Sequence, residues 1–349
     1  MDKQQNIIFL YAEITPYLLG CLNSFSLQNS LCSITVIYQR KFEKLNESKD
    51  SNYVLVSKKQ FKSKEILLKY CKSICPKLLI VSGRMSKDYL YVALKLRNKT
   101  LRVTVQDTIY KRSTKQFIQK LLSNYLYRRY FDKFWGIGSP QTKFALDIGY
   151  KENEIKEGFY VADKIFFEKS KVFQYDDKDL NILYIGRLVK EKNIIRLAKA
   201  VNNINLEKGS NHKVCVIGGG YLRDKIETYK CIDYKGLMNQ DEIIKVAHNC
   251  HVFCLPSIYE PWGVVVHEMA ALGLPILSSF KCGSSYDLVK ENYNGFKFNP
   301  YDIEEISNVL RKFIALSNIE KEKFSRNSIK IAQNINYKNW NNTLLSFLT

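Results

Sequence analysis

The chain reads as an α/β protein of two doubly wound domains, on three observations. Its 349 residues suggest two domains at roughly 150 residues apiece, with one large domain as the alternative. Short apolar, β-branched runs alternate with longer amphipathic stretches from end to end. Those runs have the character of strands buried on both faces of a mostly parallel sheet.

Taken in order, strands are expected at 7–11, 33–38, 53–57, 78–82, 101–105 and 133–137. Helices are expected between them, at 16–28, 61–75, 85–97, 113–132 and 140–147. The run 161–179 is charged and irregular, so the connection between domains is placed within 155–178. A new alternation then starts, with strands at 181–185, 213–217, 232–235, 251–255 and 275–279. Its helices fall at 191–205, 221–229, 239–249, 263–272 and 302–314. From about Glu320 the tail is helical again and ends in the apolar stretch 340–348. Open α/β sheets bind ligands at the carboxyl ends of their strands, so the chemistry is sought there.

Composition excludes more than it selects. Apolar residues at 46% and charged residues at 25% are ordinary for a globular protein. A disulfide scaffold, a collagen-like chain and a mainly disordered chain are excluded. The unusual quantity is a net charge of +20. Residues 1–150 hold 26 Lys and Arg against 10 Asp and Glu, while residues 151–349 hold 28 against 24. Nucleic acid, an anionic membrane or an acidic substrate would suit such a surface. A composition rich in Lys, Asn, Ile and Tyr accounts for the total but not for its concentration in one half.

Glu13 interrupts the first apolar run and no small-residue cleavage pattern follows, so a buried strand is expected there rather than a signal peptide. No 18-residue apolar window promises a spanning helix. The nine cysteines contain no CxxC and read as reduced small hydrophobes. The four histidines, His212, His248, His251 and His267, form no ligand spacing, so no metal is expected.

Four segments carry candidate chemistry. In Leu183-Tyr-Ile-Gly-Arg-Leu188 and the following Val-Lys-Glu-Lys192, a strand exits at Gly186, and Arg187 and Lys192 straddle a helix start. Two cations beside free helix-start N–H groups suit a diphosphate, and equally a solvated basic turn. Val214–Gly220 ends a strand in three glycines, Gly219 among them, as a ligand approach or a plain turn. In the stretch 251–275, a buried strand opens into a loop carrying Glu260, Trp262 and Gly263, and Glu268 lies early on an otherwise apolar helix. N–H groups at 262–265, including those of Val264 and Val265, can meet phosphate or sugar oxygens. A carboxylate amid Val, Met, Ala and Leu needs donors, which vicinal hydroxyls of a ligand can supply; a structural buried glutamate is the alternative. Around Gly283 and its serines lies a second cradle of small residues, and Gly295 reads as a hairpin turn. Apart from these, segment 111–133 interleaves Phe117, Leu121, Leu122, Tyr125, Leu126, Tyr130 and Phe131 with Lys115, Lys120, Arg128 and Arg129. It suits an anionic membrane surface or an ordinary helix with a basic outer face.

Over roughly residues 180–300, the ordered set Gly-Arg-x4-Lys, glycine-rich turn and Glu-x7-Glu resembles the retaining glycosyltransferases of glycosyltransferase family four. The resemblance implies a GT-B fold, two Rossmann-like doubly wound domains facing across a cleft. It implies an acceptor-binding domain at 1–158, a nucleotide-sugar domain at 170–325, and helices at 326–349 returning to the first domain. Arg187, Lys192 and Glu260 would be catalytic. Arg187 and Lys192 would hold the donor diphosphate, Glu268 the ribose, and Glu260 the hexose hydroxyls. Gly219 would also line the donor site, Trp262, Gly263, Val264 and Val265 would meet sugar and phosphate, and Gly236 and Leu237 would face the base. The anomeric configuration would be retained without metal or cofactor, and the two carboxylates would not be a glycosidase pair.

This sequence departs from the family where Asn193 replaces the usual glycine after the lysine. Gln106, beside Asp107, stands where a first-domain histidine is common, and Glu13 and Thr15 occupy the place of a glycine-rich loop. These four, Glu13, Thr15, Gln106 and Asp107, are the expected acceptor side. The expectation is a hexosyltransferase using a nucleotide sugar, UDP by resemblance, and a lipid-linked or glycan acceptor of cell-surface polysaccharide or lipopolysaccharide. It would be cytoplasmic, or peripheral on the inner face of the cytoplasmic membrane. A GT-B epimerase or phosphorylase is the alternative enzyme. A basic nucleic-acid-binding protein is the alternative outside catalysis, and no recognisable nucleic-acid motif supports it.

Overall fold

A computed structural model describes residues 4–41, 53–109, 114–175 and 179–349. The chain forms two compact units, Met1–Val161 with Ile335–Thr349, and Ala162–Asn334. The start of the expected 113–132 helix, and residues 176–178 of the expected connection, lie outside the described residues.

The first unit is built on a seven-stranded sheet. Its strands are β1 (Gln5–Ile14), β2 (Cys32–Lys41), β3 (Tyr53–Ser57), β4 (Leu78–Ser82), β5 (Leu101–Gln106), β6 (Lys133–Gly136) and β7 (Ile155–Lys156). The order is β3-β2-β1-β4-β5-β6-β7, with every pairing parallel. Helices α1 (Pro16–Gln28), α2 (Lys64–Ser73), α3 (Lys87–Lys95), α4 (Thr114–Leu121) and α5 (Ser139–Asp147) connect the strands. Strand order reverses between β1 and β4, so the loops after those strands part there.

Alternation along β1 divides the core. Ile8 and Leu10 join Leu67, Leu79, Val81, Tyr89 and Val92 in one buried cluster. Phe9 instead stacks on Trp340 at 6.5 Å, with Phe25 and Trp135 packed on the same indole. Trp340 belongs to the last helix of the chain, and its Nε1 donates to the Phe159 carbonyl at 3.0 Å. The apolar tail therefore completes the core of the unit formed by the first half of the sequence. Arg102 is buried on β5, where its guanidinium meets Asp132 in a two-point pair at 3.0 and 2.6 Å. Asp132 also accepts from the Arg102 backbone, so the buried charge is fully engaged.

The second unit holds a six-stranded sheet of β8 (Asn181–Ile185), β9 (Lys213–Ile217), β10 (Ile232–Gly236), β11 (Val252–Leu255), β12 (Ile276–Ser279) and β13 (Gly295–Phe298). Its order, β10-β9-β8-β11-β12-β13, is again parallel throughout, and reverses between β8 and β11. Helices α6 (Lys164–Glu168), α7 (Ile194–Lys208), α8 (Arg223–Glu227), α9 (Gln240–Ala247), α10 (Val264–Leu272), α11 (Ser285–Leu288), α12 (Ile303–Ala315) and α13 (Asn318–Ala332) surround it. Capping residues start several of them. Asn239 and Glu242 box α9, and Ser317 and Glu320 box α13. Helix α13, which opens the tail, belongs to this unit, and α14 (Tyr337–Leu345) belongs to the first.

Two expectations are corrected here. Gly295 does not turn a hairpin: it begins β13, parallel to β12. A Cβ on Gly295 would lie 1.8 Å from the Ile276 carbonyl oxygen, so the glycine permits close strand approach. The continuous helix expected at 113–132 is instead α4 followed by a π-helical segment, Asn124–Arg128. The chain has to re-enter the sheet at β6, and Arg128, bonded twice to Glu154, and the buried Phe131 hold it there.

Candidate functional site

In the second unit, three loops leave the carboxyl ends of neighbouring strands beside the switch point. The exit from β8 carries Gly186, Arg187 and Lys192. Gly186 N–H donates to Ile217 O, and Leu188 N–H to Gly219 O, which ties this loop to the one after β9. Gly218 and Gly220 explain themselves by that contact. A Cβ on either would lie 2.0 Å from Gly186 O or 2.5 Å from Leu188 O. Gly219 has no such backbone neighbour: a Cβ there would meet only the Leu237 side chain, at 3.6 Å.

The loop from β11 to α10 is fastened from below. Ile258 N–H donates to Glu191 O, Gly283 N–H to Glu260 O, and Ser284 N–H to Trp262 O. Gly263 takes a left-handed φ of 88° and starts α10 directly, leaving the N–H groups of Val264 and Val265 at a helix head. The cradle expected around Gly283 is corrected by this arrangement. Ser278, Ser279, Ser284 and Ser285 are buried, and their hydroxyls bond within the chain, as Ser285 does to Ser279 O at 2.7 Å. They support the Glu260 loop from behind.

Lys192 and Glu260, 68 positions apart, form a part-buried ion pair. Arg187 is exposed on the same β8 exit loop. Asn193 accounts for the departure from glycine: it sits in the left-handed region at φ 60° and is 5% exposed. Its amide donates to the carbonyls of Pro256 and Pro300 at 2.9 and 2.7 Å. Asparagine tolerates this conformation, and its side chain bonds what glycine would leave open. Glu268 is partly buried on apolar α10. Burial, reinforced by Asp163, pushes its carboxyl up to about 7 from an ordinary 4.5. Gly236 ends β10, and the exposed Leu237 follows it beside Gly219.

All four histidines are structural. His267, beside Glu268, accepts from Ala162 N–H and donates to Ala332 O, both at 3.0 Å. His212 and His251 accept from the backbone of Leu180 and Asn181 at the start of β8, and His248 meets Lys169 O. Among the described residues no group of three or more His, Cys, Asp or Glu could hold a metal ion. All nine cysteines are free thiols.

In the first unit, Glu13 lies one residue before the end of β1, in an exposed pair with Arg40 at 3.5 Å. Thr15 follows at the N-cap of α1 without capping it. Gln106 closes β5, 8% exposed, and donates to Thr104 Oγ1 at 3.2 Å. Asp107 follows, its carbonyl accepting from Gln141. These four residues thus share the carboxyl ends of β1 and β5. Sequence reasoning misses a tyrosine group beside them. Tyr17 and Tyr160 pack at 4.8 Å, and burial pushes the hydroxyls of Tyr11, Tyr17 and Tyr160 up, with Asp107 adding to each rise. Tyr160 lies in the irregular connection, which has no periodicity to flag it.

Residues 166–331 match the family described as Glycosyl transferases group 1. An uncharacterized glycosyltransferase of Methanocaldococcus jannaschii is 33% identical over 153 residues, 42% of this chain and 38% of that protein. The capsular polysaccharide biosynthesis glycosyltransferase CapM of Staphylococcus aureus is 30% identical over 186 residues, 47% of each. These matches span less than half the length of either relative. The crystal structure of Anabaena HepE in complex with UDP superposes with a TM-score of 0.75 at 15% identity, covering 99% of both chains. The protein therefore has the GT-B fold, and its second unit is related to the glycosyl transferases group 1.

Proposed function

We propose that this chain is a retaining, metal-independent hexosyltransferase, using a nucleotide diphosphate sugar of the UDP type. The observation that carries the reading is the meeting of Lys192 with Glu260 beside the head of α10. A cation and a carboxylate would not be gathered at strand ends for stability alone, because part-buried charges are expensive. A diphosphate and a sugar supply a partner for each. Arg187, Lys192 and the free N–H groups of α10 hold the diphosphate and stabilise the charge that grows as the C1–O bond breaks. Glu260 passes from Lys192 to the hexose hydroxyls, and Glu268 accepts from the ribose. Gly219, Gly236 and Leu237 flank the nucleotide. The acceptor oxygen bonds C1 on the face the diphosphate leaves, and its proton passes to the departing phosphate oxygen.

The first unit receives the acceptor through Glu13, Thr15, Gln106 and Asp107. A lipid-linked or glycan acceptor of cell-surface polysaccharide, presented at the cytoplasmic face of a membrane, is supported by the capsule enzyme among the relatives. UDP is supported by the nucleotide bound to the Anabaena protein. A panel of nucleotide sugars, read by protection against heat unfolding and by turnover with and without acceptor, tests the donor. Lys192→Ala and Glu268→Ala test the site: unchanged kcat/KM in both variants would falsify it.

A further inference from the structure

The first unit wears its apolar side outward along one short segment. Phe117, Ile118, Leu121, Leu122 and Tyr125 are 57%, 53%, 69%, 49% and 63% exposed. On a helix these positions share one face, because 117, 121 and 125 are each a turn apart and 118 and 122 adjoin them. Ser123 and Tyr127 are buried, so the segment is anchored by its other side. The Arg84 guanidinium lies over the Tyr127 ring at 4.5 Å, and this brings up the adjoining loop with Met85, 91% exposed. Folded monomers seldom leave so many large apolar side chains together in water.

Charge selects what covers them. The first unit holds 29 Lys and Arg against 13 Asp and Glu, and the second 25 against 21. Within 114–133 the basic residues Lys115, Lys120, Arg128, Arg129 and Lys133 stand against a single acid, Asp132, and Arg102 already holds it. Arg128 is engaged by Glu154. Arg129 lies over the rings of Tyr125 and Tyr130 at 5.1 and 5.8 Å, a cation on the edge of the apolar face. Apolar residues flanked by cations, on a helix too short to span a bilayer, fit the boundary between acyl chains and anionic headgroups.

We propose that the apolar face of segment 114–129 is a docking surface for an anionic lipid bilayer. Phe117, Ile118, Leu121, Leu122 and Tyr125 enter the interface, and Arg129 meets the headgroups. The inference stands apart from the transferase reading, since it needs no donor or acceptor.

Co-sedimentation of the full chain with vesicles tests it, using phosphatidylcholine alone or with about one third phosphatidylglycerol. The wild type is expected to partition onto the anionic vesicles at least ~10-fold more strongly, and less so at high salt. Leu121→Ser with Tyr125→Ser is expected to lower that partition by about 10-fold at every salt concentration. Arg129→Glu is expected to weaken binding to anionic vesicles only. Circular dichroism and nucleotide-sugar protection should stay unchanged in all variants. Absence of wild-type binding to anionic vesicles overturns the proposal, and so does undiminished binding by the double variant. A concentration-dependent dimer that the double variant disrupts, with no vesicle binding, would assign the face to a second copy instead. Vesicle binding without any donor turnover would defeat the transferase reading and leave this one standing.

Discussion

The two units share one architecture and use it differently. Both are parallel sheets whose order reverses beside the first strand of the unit. In the second unit, the loops at that reversal are fixed by backbone: glycines in close contact, carbonyls bonded to neighbouring loops, a helix head left open. Such requirements restrict residue type, and this is the stretch that matches a family. In the first unit, the corresponding loops rest on side chains, among them the tyrosines around Asp107. Side-chain packing has many solutions, so similar sheets can carry dissimilar sequences. The lesson is that the second unit is constrained by what its backbone must approach, and the first mainly by what it must bury.

Replacements should separate the two kinds of constraint. Trp340→Ala, in the first unit, should cost about 3–5 kcal/mol in chemical denaturation, because it empties a site ringed by Phe9, Phe25 and Trp135. Remaining donor protection should then be lost only with folding. Lys192→Ala should lower kcat/KM by ~10²–10³, about 3–4 kcal/mol at the transition state, with a smaller loss of stability from the carboxylate left unpaired at Glu260. If Lys192→Ala instead cost as much stability as Trp340→Ala and left kcat/KM unchanged, the contrast between the units would collapse.

Glu268 gives an effect of intermediate size that depends on pH. Its folded value of about 7 lies above the ordinary 4.5, so its contribution to stability is full below about pH 4.5 and is lost as pH rises through 7. Compared with Glu268→Gln, the wild type should lose on the order of 2 kcal/mol between pH 5 and 8, after allowing for partial exposure. Donor binding should run the other way and weaken below pH 7, where the carboxyl takes a proton and accepts fewer hydroxyl bonds. Melting curves and nucleotide titrations across that range check both signs. The smallest effect should come from Asn193→Gly. It relieves a left-handed asparagine but removes donors from two proline carbonyls, for a net loss of about 1 kcal/mol in a denaturant titration.

Much of the fold is legible in the residue pattern. Four strands, at Tyr53–Ser57, Leu78–Ser82, Asn181–Ile185 and Lys213–Ile217, coincide with their expected limits because their apolar runs are bounded by polar residues. Helices α6 and α11 and strand β7 leave no such signal, since two to five residues show no period. Strand β13 is masked by the Asn-Tyr-Asn-Gly turn signal at its start. Among the candidate residues, Arg187, Lys192, Glu260 and Glu268 stand out by type and spacing. The pairing of Lys192 with Glu260, the burial that raises Glu268 and the work of Asn193 do not, because each depends on partners distant in the chain.

The sequence by itself determined the repeated strand–helix alternation, the basic first half and the spacing of the two carboxylates. These follow from local periodicity and residue type. Only the tertiary structure decided that the last helix completes the first core, that the serines near Gly283 face inward, and that the apolar side of segment 114–128 faces water. Which face of an element is covered depends on what the rest of the chain brings to it, and no local pattern carries that information.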